Sequence, residues 1–151
     1  MDVLLDERMM ALALEDARDA AAGGDVPVGA VVARGDTVLG RAGNAREREQ
    51  DPTAHAEILA LRRAAGALGS WHLEGCAMYV TLEPCAMCAG ALVLSRIGRL
   101  VFGAKDPKAG FAGSLGDLVR DPRLNHALEV TPGVLAEDCG DLLRDFFRDR
   151  R

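Results

Sequence analysis

Aromatic side chains are scarce in this sequence: one Trp, one Tyr and four Phe make up 4% of 151 residues. A core without large rings must be assembled from Ala, Leu and Val, which suits an α/β or helical architecture. Long apolar runs are missing too. No stretch approaches the ~18–20 residues of a membrane span, and Asp2, Asp6, Glu7 and Arg8 occupy the segment where a secretory leader needs an apolar core. The expectation is a cytoplasmic protein with no membrane association. A positive charge excess is also lacking: the formal net charge is −5. Residues 1–25 hold seven acids against two bases, so that segment carries the whole imbalance and the remainder is neutral. Polyanion binding through overall charge is thereby disfavoured. A local basic surface can still meet nucleic acid, because phosphates sense charge within a Debye length of ~10 Å. Neither an internal repeat nor a linker long enough to divide domains is present. One domain over residues 1–151 is the expectation.

What is present is patterned. Leu5, Met9, Leu12 and Ala13 recur at helical spacing over 3–22, and Gly23-Gly24 supplies a stop. Two β-like runs flanking Arg34-Gly35-Asp36 predict a hairpin. Residues 43–52 are polar and turn-rich, a loop leading to a helix from about Thr53 that Gly66 and Gly69 end. Residues 77–82 read as a buried strand feeding a helix through Ser95, and 99–103 as another strand. A loop over 104–113, a helical turn near 115–119, a weak strand near 128–131 and a last helix from about Val134 complete the chain. The order predicts a three-layer α/β/α domain with a central mixed sheet of about five strands.

The chemistry concentrates in Thr81-Leu-Glu-Pro-Cys85-Ala-Met-Cys88-Ala-Gly90. Three-residue spacing puts both sulfurs on one face of a helix's first turn, where unpaired N–H groups favour thiolate. Proline loses no hydrogen bond there. In a reducing compartment such a pair means metal or redox chemistry more often than a structural disulfide. A catalytic zinc site takes three protein ligands and leaves a fourth position open. His55, alone of the three histidines, starts a predicted helix, in Asp51-Pro-Thr-Ala-His55-Ala-Glu57. Glu57 is near enough to serve a metal's water without being a ligand. His-x-Glu followed by Pro-Cys-x-x-Cys is the established signature of zinc-dependent nucleobase deaminases.

The likeness extends beyond the signature. Val26-Pro-Val-Gly-Ala-Val, Asp51 to Glu57, Tyr79 to Ala91, Ser95-Arg-Ile-Gly-Arg, Phe102-Gly-Ala-Lys-Asp and Gly113-Ser-Leu closely resemble the bacterial tRNA-specific adenosine deaminases of the cytidine deaminase-like superfamily. The resemblance runs from the first helix to Phe146-Phe147-Arg148. It implies hydrolytic deamination of the wobble adenosine of a tRNA anticodon to inosine, by attack of zinc-held hydroxide on C6, in a homodimer whose active sites lie close to the interface. Residue by residue, it implies His55, Cys85 and Cys88 as ligands of one Zn²⁺ per subunit and Glu57 as the proton shuttle. Asn44 matches the base-holding asparagine and Val28 a pocket wall, with Ala56 and Pro84 beside the metal ligands. Asp106 and Lys108 fall in a loop that meets the flipped nucleotide, and Phe147 and Arg150 in the helix that contacts the anticodon stem-loop. Pro107 and Phe111 stand where well-known members carry small residues.

Other readings remain beside this one. A deaminase of free guanine or cytosine would share the metal site and differ in the pocket and terminal helix. A non-catalytic, zinc-stabilised RNA-binding subunit would have no use for Glu57. Cys76 and Cys139 read as small core residues, Trp71 as packing, and His126 as a turn or sheet-end residue. Glu83 divides evenly between a solvated charge and a role beside the metal helix.

Overall fold

The computed structural model describes residues 2–150. In chain order its elements are α1 (Val3–Ala22), β1 (Gly29–Arg34), β2 (Thr37–Gly43), α2 (Arg46–Glu49), α3 (Ala56–Leu68), β3 (Ala77–Leu82), α4 (Ala86–Leu94), β4 (Arg99–Ala104), β5 (Glu129–Thr131) and α5 (Ala136–Arg148). The strands form a single five-stranded sheet in the order β2-β1-β3-β4-β5. Strand β1 runs antiparallel to β2 and β3, whereas β3, β4 and β5 are parallel. This is the three-layer α/β arrangement with a mixed sheet that the sequence predicts. No described helix is long and apolar enough to cross a membrane.

Side-chain alternation along the strands sorts the core into two halves. Met9, Met10, Ala13 and Leu14 of α1 and Cys139 of α5 pack on Val31, Tyr79 and Val101 from one side. Ala56, Ala60 and Ala64 of α3 and Ala89, Leu92 and Val93 of α4 pack on Val32, Met78, Val80 and Leu100 from the other. Cys76 and Cys139 are buried, as expected of small core residues. Helix α1 starts at Asp2, whose carboxylate accepts from Leu5 N at 3.0 Å. One turn on, buried Asp6 takes both guanidinium nitrogens of Arg99 at 2.7 Å and the Tyr79 hydroxyl at 3.3 Å, tying α1 to β3 and β4.

Close approach of helix to sheet depends on missing side chains. A Cβ at Gly29 would collide with the Ala13 carbonyl oxygen of α1, and one at Gly40 would stand 2.5 Å from Ala64 N of α3. Both obstacles are helix backbone, which cannot rotate aside. Gly29→Ala is therefore expected to lower unfolding free energy by about 1–3 kcal/mol, the range for overpacking a filled core, read from a denaturant midpoint at unchanged slope.

The structure departs from sequence expectation at element ends. Helix α3 begins at Ala56 and not near Thr53, because the Asp51 carboxylate accepts from Thr53 N and Thr53 Oγ1 at 2.8 Å and holds a turn there. Gly66 lies within α3, and Gly69, at φ 68°, ends it. The polar loop contains the single turn α2. Residues 115–119 are not helical: Gly113 N bonds Gly116 O, Leu115 N bonds Gly110 O and Leu118 N bonds Phe111 O, which leaves no helical ladder. Helix α5 starts at Ala136, two residues later than expected, after Leu135 in the left-handed region at φ 52°. Trp71 is 61% exposed and does not serve as core packing. His126 Nε2 lies 2.7 Å from Ile97 O, a loop residue tied beside the sheet.

Candidate active site

Two helix starts meet beyond the end of β3. His55 is the N-cap of α3 and Cys85 the N-cap of α4, and neither side chain caps its own helix, so both are free to face one another. Cys88, one turn along α4, is fully buried. His55 Nδ1 lies 3.6 Å from Cys85 Sγ and 3.5 Å from Cys88 Sγ. A tetrahedral zinc with Zn–N and Zn–S bonds of ordinary length has N···S edges of about 3.6 Å. The donor set therefore fits that cation in both chemistry and spacing. Among the described residues it is the one cluster of three metal-ligating groups, and its donor atoms all lie within 4.8 Å of one another.

The electrostatics say the same. The Cys85 thiol is pulled down to about 3, chiefly by its hydrogen bond with Cys88 and, against burial, by the bond with His55. The Cys88 thiol moves strongly the opposite way, because it donates to Cys85 and is buried beside Glu57. One proton is thus held between two sulfurs, and a divalent cation would take its place. His55 is raised by its hydrogen bond to Cys85. The Glu57 carboxyl, 4% exposed, is pushed up to about 7, first by burial. A carboxyl poised near neutrality beside an open metal position can accept and return a proton.

His55, Glu57 and Cys85 line a cavity of about 180 Å³ with Val26, Val28, Asn44, Arg46, Ala56, Leu82, Glu83, Asp106 and Ala109. Drug-sized pockets run to ~300–1,000 Å³, so this one suits a single planar base. The larger cleft, about 590 Å³, is not the one that holds the chemistry. It opens alongside, shares Val26, Asn44 and Arg46, and is walled by residues 23–25, Glu47, Arg48, Phe146 and Arg150. Asn44, 7% exposed, stands at the junction. Its Nδ2 donates to Val26 O at 3.3 Å, and its Oδ1 accepts from Arg46 N at 3.4 Å.

Of the residues singled out by sequence, His55, Ala56, Glu57, Cys85, Asn44, Val28 and Asp106 line the smaller cavity, while Cys88 sits behind it. Arg150 lines the cleft, with its guanidinium 4.2 Å from the Phe146 ring centroid. Pro84, Lys108 and Phe147 line neither space. The Pro84 carbonyl anchors Phe111 N at 2.8 Å, Lys108 is exposed, and Phe147 is 52% exposed with its ring set edge-on to Phe146. Sequence reading missed Arg46, Val26, Leu82, Ala109 and Phe146. For Phe146 the signal is there: Cys139, Leu142, Leu143 and Phe146 share one helical stripe. It also missed Asp25, fully buried, whose carboxylate accepts from Glu47 N at 2.7 Å and Arg48 N at 3.3 Å and so holds the turn that presents Arg46.

Set against known proteins, residues 5–151 match the family of MafB19-like deaminases. The chain is 51% identical over 146 residues to the tRNA-specific adenosine deaminase of Bacillus subtilis strain 168, covering 97% of this chain and 91% of that protein. It is similar to a structure solved in biochemical and structural studies of A-to-I editing by tRNA:A34 deaminases at the wobble position of transfer RNA. That match has a TM-score of 0.87 and 43% identity over 90% of this chain and 99% of the other. It also resembles the guanine deaminase from Nitrosomonas europaea, at a TM-score of 0.80 and 27% identity over 93% of this chain and 83% of that one.

Proposed function

Because the chain belongs to the MafB19-like deaminase family, we propose that it is a zinc-dependent tRNA adenosine deaminase, converting the wobble adenosine of an anticodon to inosine with release of ammonia. The observation that carries this reading is the His55, Cys85 and Cys88 donor set at tetrahedral edge spacing, with buried Glu57 beside it at the floor of a single-base cavity. Full-length similarity to tRNA-specific adenosine deaminases supports the substrate. One zinc per subunit, held by His55, Cys85 and Cys88, would supply a nucleophilic oxygen at neutral pH.

The chain's own groups do the rest. Glu57 takes one proton as the nucleophile forms and delivers it to adenine N1. It then takes the second from the hydroxyl newly bonded to C6 and passes it to the N6 amine, which departs as ammonia and leaves the C6 carbonyl of inosine. Asn44 retains one amide hydrogen and one oxygen lone pair after its two internal bonds, enough to hold a purine edge by donating and accepting. Val26, Val28, Ala56 and Leu82 supply apolar walls, and closing them over the base excludes bulk water. The cleft with Arg46, Arg48, Phe146 and Arg150 suits neighbouring nucleotides of a single-stranded loop, by stacking and by pairing with phosphate. Asp106 and Lys108 contribute as the loop beside the flipped nucleotide, and Phe147 and Pro84 from the flanks. A single deaminase domain over 1–151 and a cytoplasmic setting belong to the same reading.

Homodimer formation is supported by a groove on the outer face of α3 and α4, lined by Ile58, Leu61, Ala65, Trp71, Ala91 and Leu94. Leu94 is 73% exposed there. Because α4 carries both thiols, a second copy seated on it lies close to the chemistry. Leu94→Arg is expected to weaken self-association roughly 30-fold or more, the loss of about 2 kcal/mol at a buried anchor, measured by sedimentation equilibrium.

The substrate is tested by assaying the protein on an anticodon stem-loop with a wobble adenosine beside free guanine, cytosine and adenosine, with zinc content measured. Inosine from the stem-loop is the expected result. Turnover of a free base with an inert stem-loop would give the guanine or cytosine reading instead, and zinc binding without turnover of any of them would give the non-catalytic one.

A further inference from the structure

One buried carboxylate outside the metal centre has no ion-pair partner among the described residues and three backbone donors. Glu83 is 2% exposed. Its Oε1 accepts from Asp106 N at 3.0 Å and from the Ser114 hydroxyl; its Oε2 accepts from Ala112 N and Ser114 N, each at 3.0 Å. Four donors from residues 106–114 therefore converge on two oxygens. The neighbouring backbone extends the attachment, since Glu83 N donates to Ala104 O and Pro84 O accepts from Phe111 N, both at 2.8 Å. Gly110 lies against the same carboxylate so closely that a Cβ there would collide with it.

The segment so gathered has no helix or strand of its own to hold it. Residues 105–128 contain only turns, bends and an isolated bridge between Ala112 and Asp117. Yet Asp106 and Ala109 of this segment form one wall of the base cavity. A polar loop without regular structure opens readily unless something fixes its backbone. A buried charged acceptor shared among four donors fixes it more firmly than neutral hydrogen bonds would.

We infer that Glu83 is a positioning residue for substrate: its carboxylate pins the 105–114 loop so that Asp106 and Ala109 stand preformed as a wall of the base site. This rests on the site reading given above. The loop, the metal helix and β3 are joined at residues 83–85, so the wall is registered to the metal ligand Cys85 within two residues.

The test is Glu83→Gln, which keeps the shape but sets an amide NH₂ against backbone N–H groups. Backbone hydrogen exchange, followed by mass spectrometry on the zinc-loaded protein, is expected to quicken at least 10-fold across 105–114 and stay unchanged in α3 and α4. On the stem-loop substrate KM is expected to rise about 10-fold with kcat within about threefold, the signature of lost ground-state binding. Zinc content stays at the wild-type value. Ser114→Ala, which removes only the hydroxyl donor, keeps the question answerable should Glu83→Gln fold poorly, and gives a smaller change of the same kind. Unchanged exchange in the loop overturns the inference, as does a fall in kcat at constant KM, which would place Glu83 in the chemical step. A wild-type protein inert on the stem-loop would sink the substrate reading alone, because the exchange measurement still decides the anchoring.

Discussion

Glu57→Gln is expected to lower kcat on the anticodon stem-loop by roughly 10²–10⁴-fold, the range for removing a general acid–base group, while zinc content and thermal midpoint stay near wild type. Glutamine matches glutamate in volume, so the buried site at the start of α3 is not reshaped. It cannot carry a proton between water, N1 and N6. Glu57 is outside the donor set, so the metal stays. Burial raises the wild-type carboxyl to about 7, so its ionised form does not stabilise the fold and replacing it leaves the thermal midpoint near wild type. Steady-state kinetics beside metal analysis decide the matter. If activity survived at a wild-type rate, proton transfer would have to be assigned to another group lining the cavity.

Cys88→Ala is expected to reduce bound zinc from about one per chain to a trace and activity below detection. Loss of a hydrogen-bond partner to a metal ligand already costs about 10–100-fold in affinity, and loss of a ligand costs more. Cys88 is fully buried, so solvent does not reach in to substitute. The metal-free protein keeps a proton on Cys88 and a raised proton affinity at His55. Binding the cation must expel the Cys88 proton and competes with protonation of His55, so zinc affinity of the wild-type protein rises with pH and falls as acid is added. Titration against a competing chelator at two pH values measures this. A pH-independent affinity would exclude the proton held between the sulfurs.

The His55, Cys85 and Cys88 cluster that could hold a metal was legible because its information is local. Pro-Cys-x-x-Cys and His-x-Glu each set their groups at the first turn of a helix, and only the meeting of α3 and α4 was left to the fold. The hairpin and the sheet were likewise written in runs of apolar residues bounded by turns. Helix α2 was not, since four polar residues have no periodicity and the turn is held by Asp25, some twenty residues away. The same holds for residues 106–114, gathered on Glu83, and the helical turn expected at 115–119 gave way to bonds with the Gly110 and Phe111 carbonyls of that loop. A residue's own neighbourhood cannot say that a distant carboxylate will claim its N–H. Phe147 and Phe146 show a finer limit: adjacent aromatics on an exposed last turn differ only by helix phase, and the stripe from Cys139 selects Phe146.

The cleft is walled by the Gly23–Val26 turn after α1, by Asn44 and residues 46–48, and by Phe146 of α5 with Arg150 just beyond it. The donor set and Glu57 belong to none of these walls, while Val26, Asn44 and Arg46 face both spaces. On the proposed reading, recognition and reaction overlap at three residues and are otherwise carried by separate parts of one small fold. On that reading, altering the last turn of α5 would change which polynucleotide is gripped while leaving the hydrolysis of the amine intact, so that a common catalytic body could be re-addressed to a different cargo through its last helix.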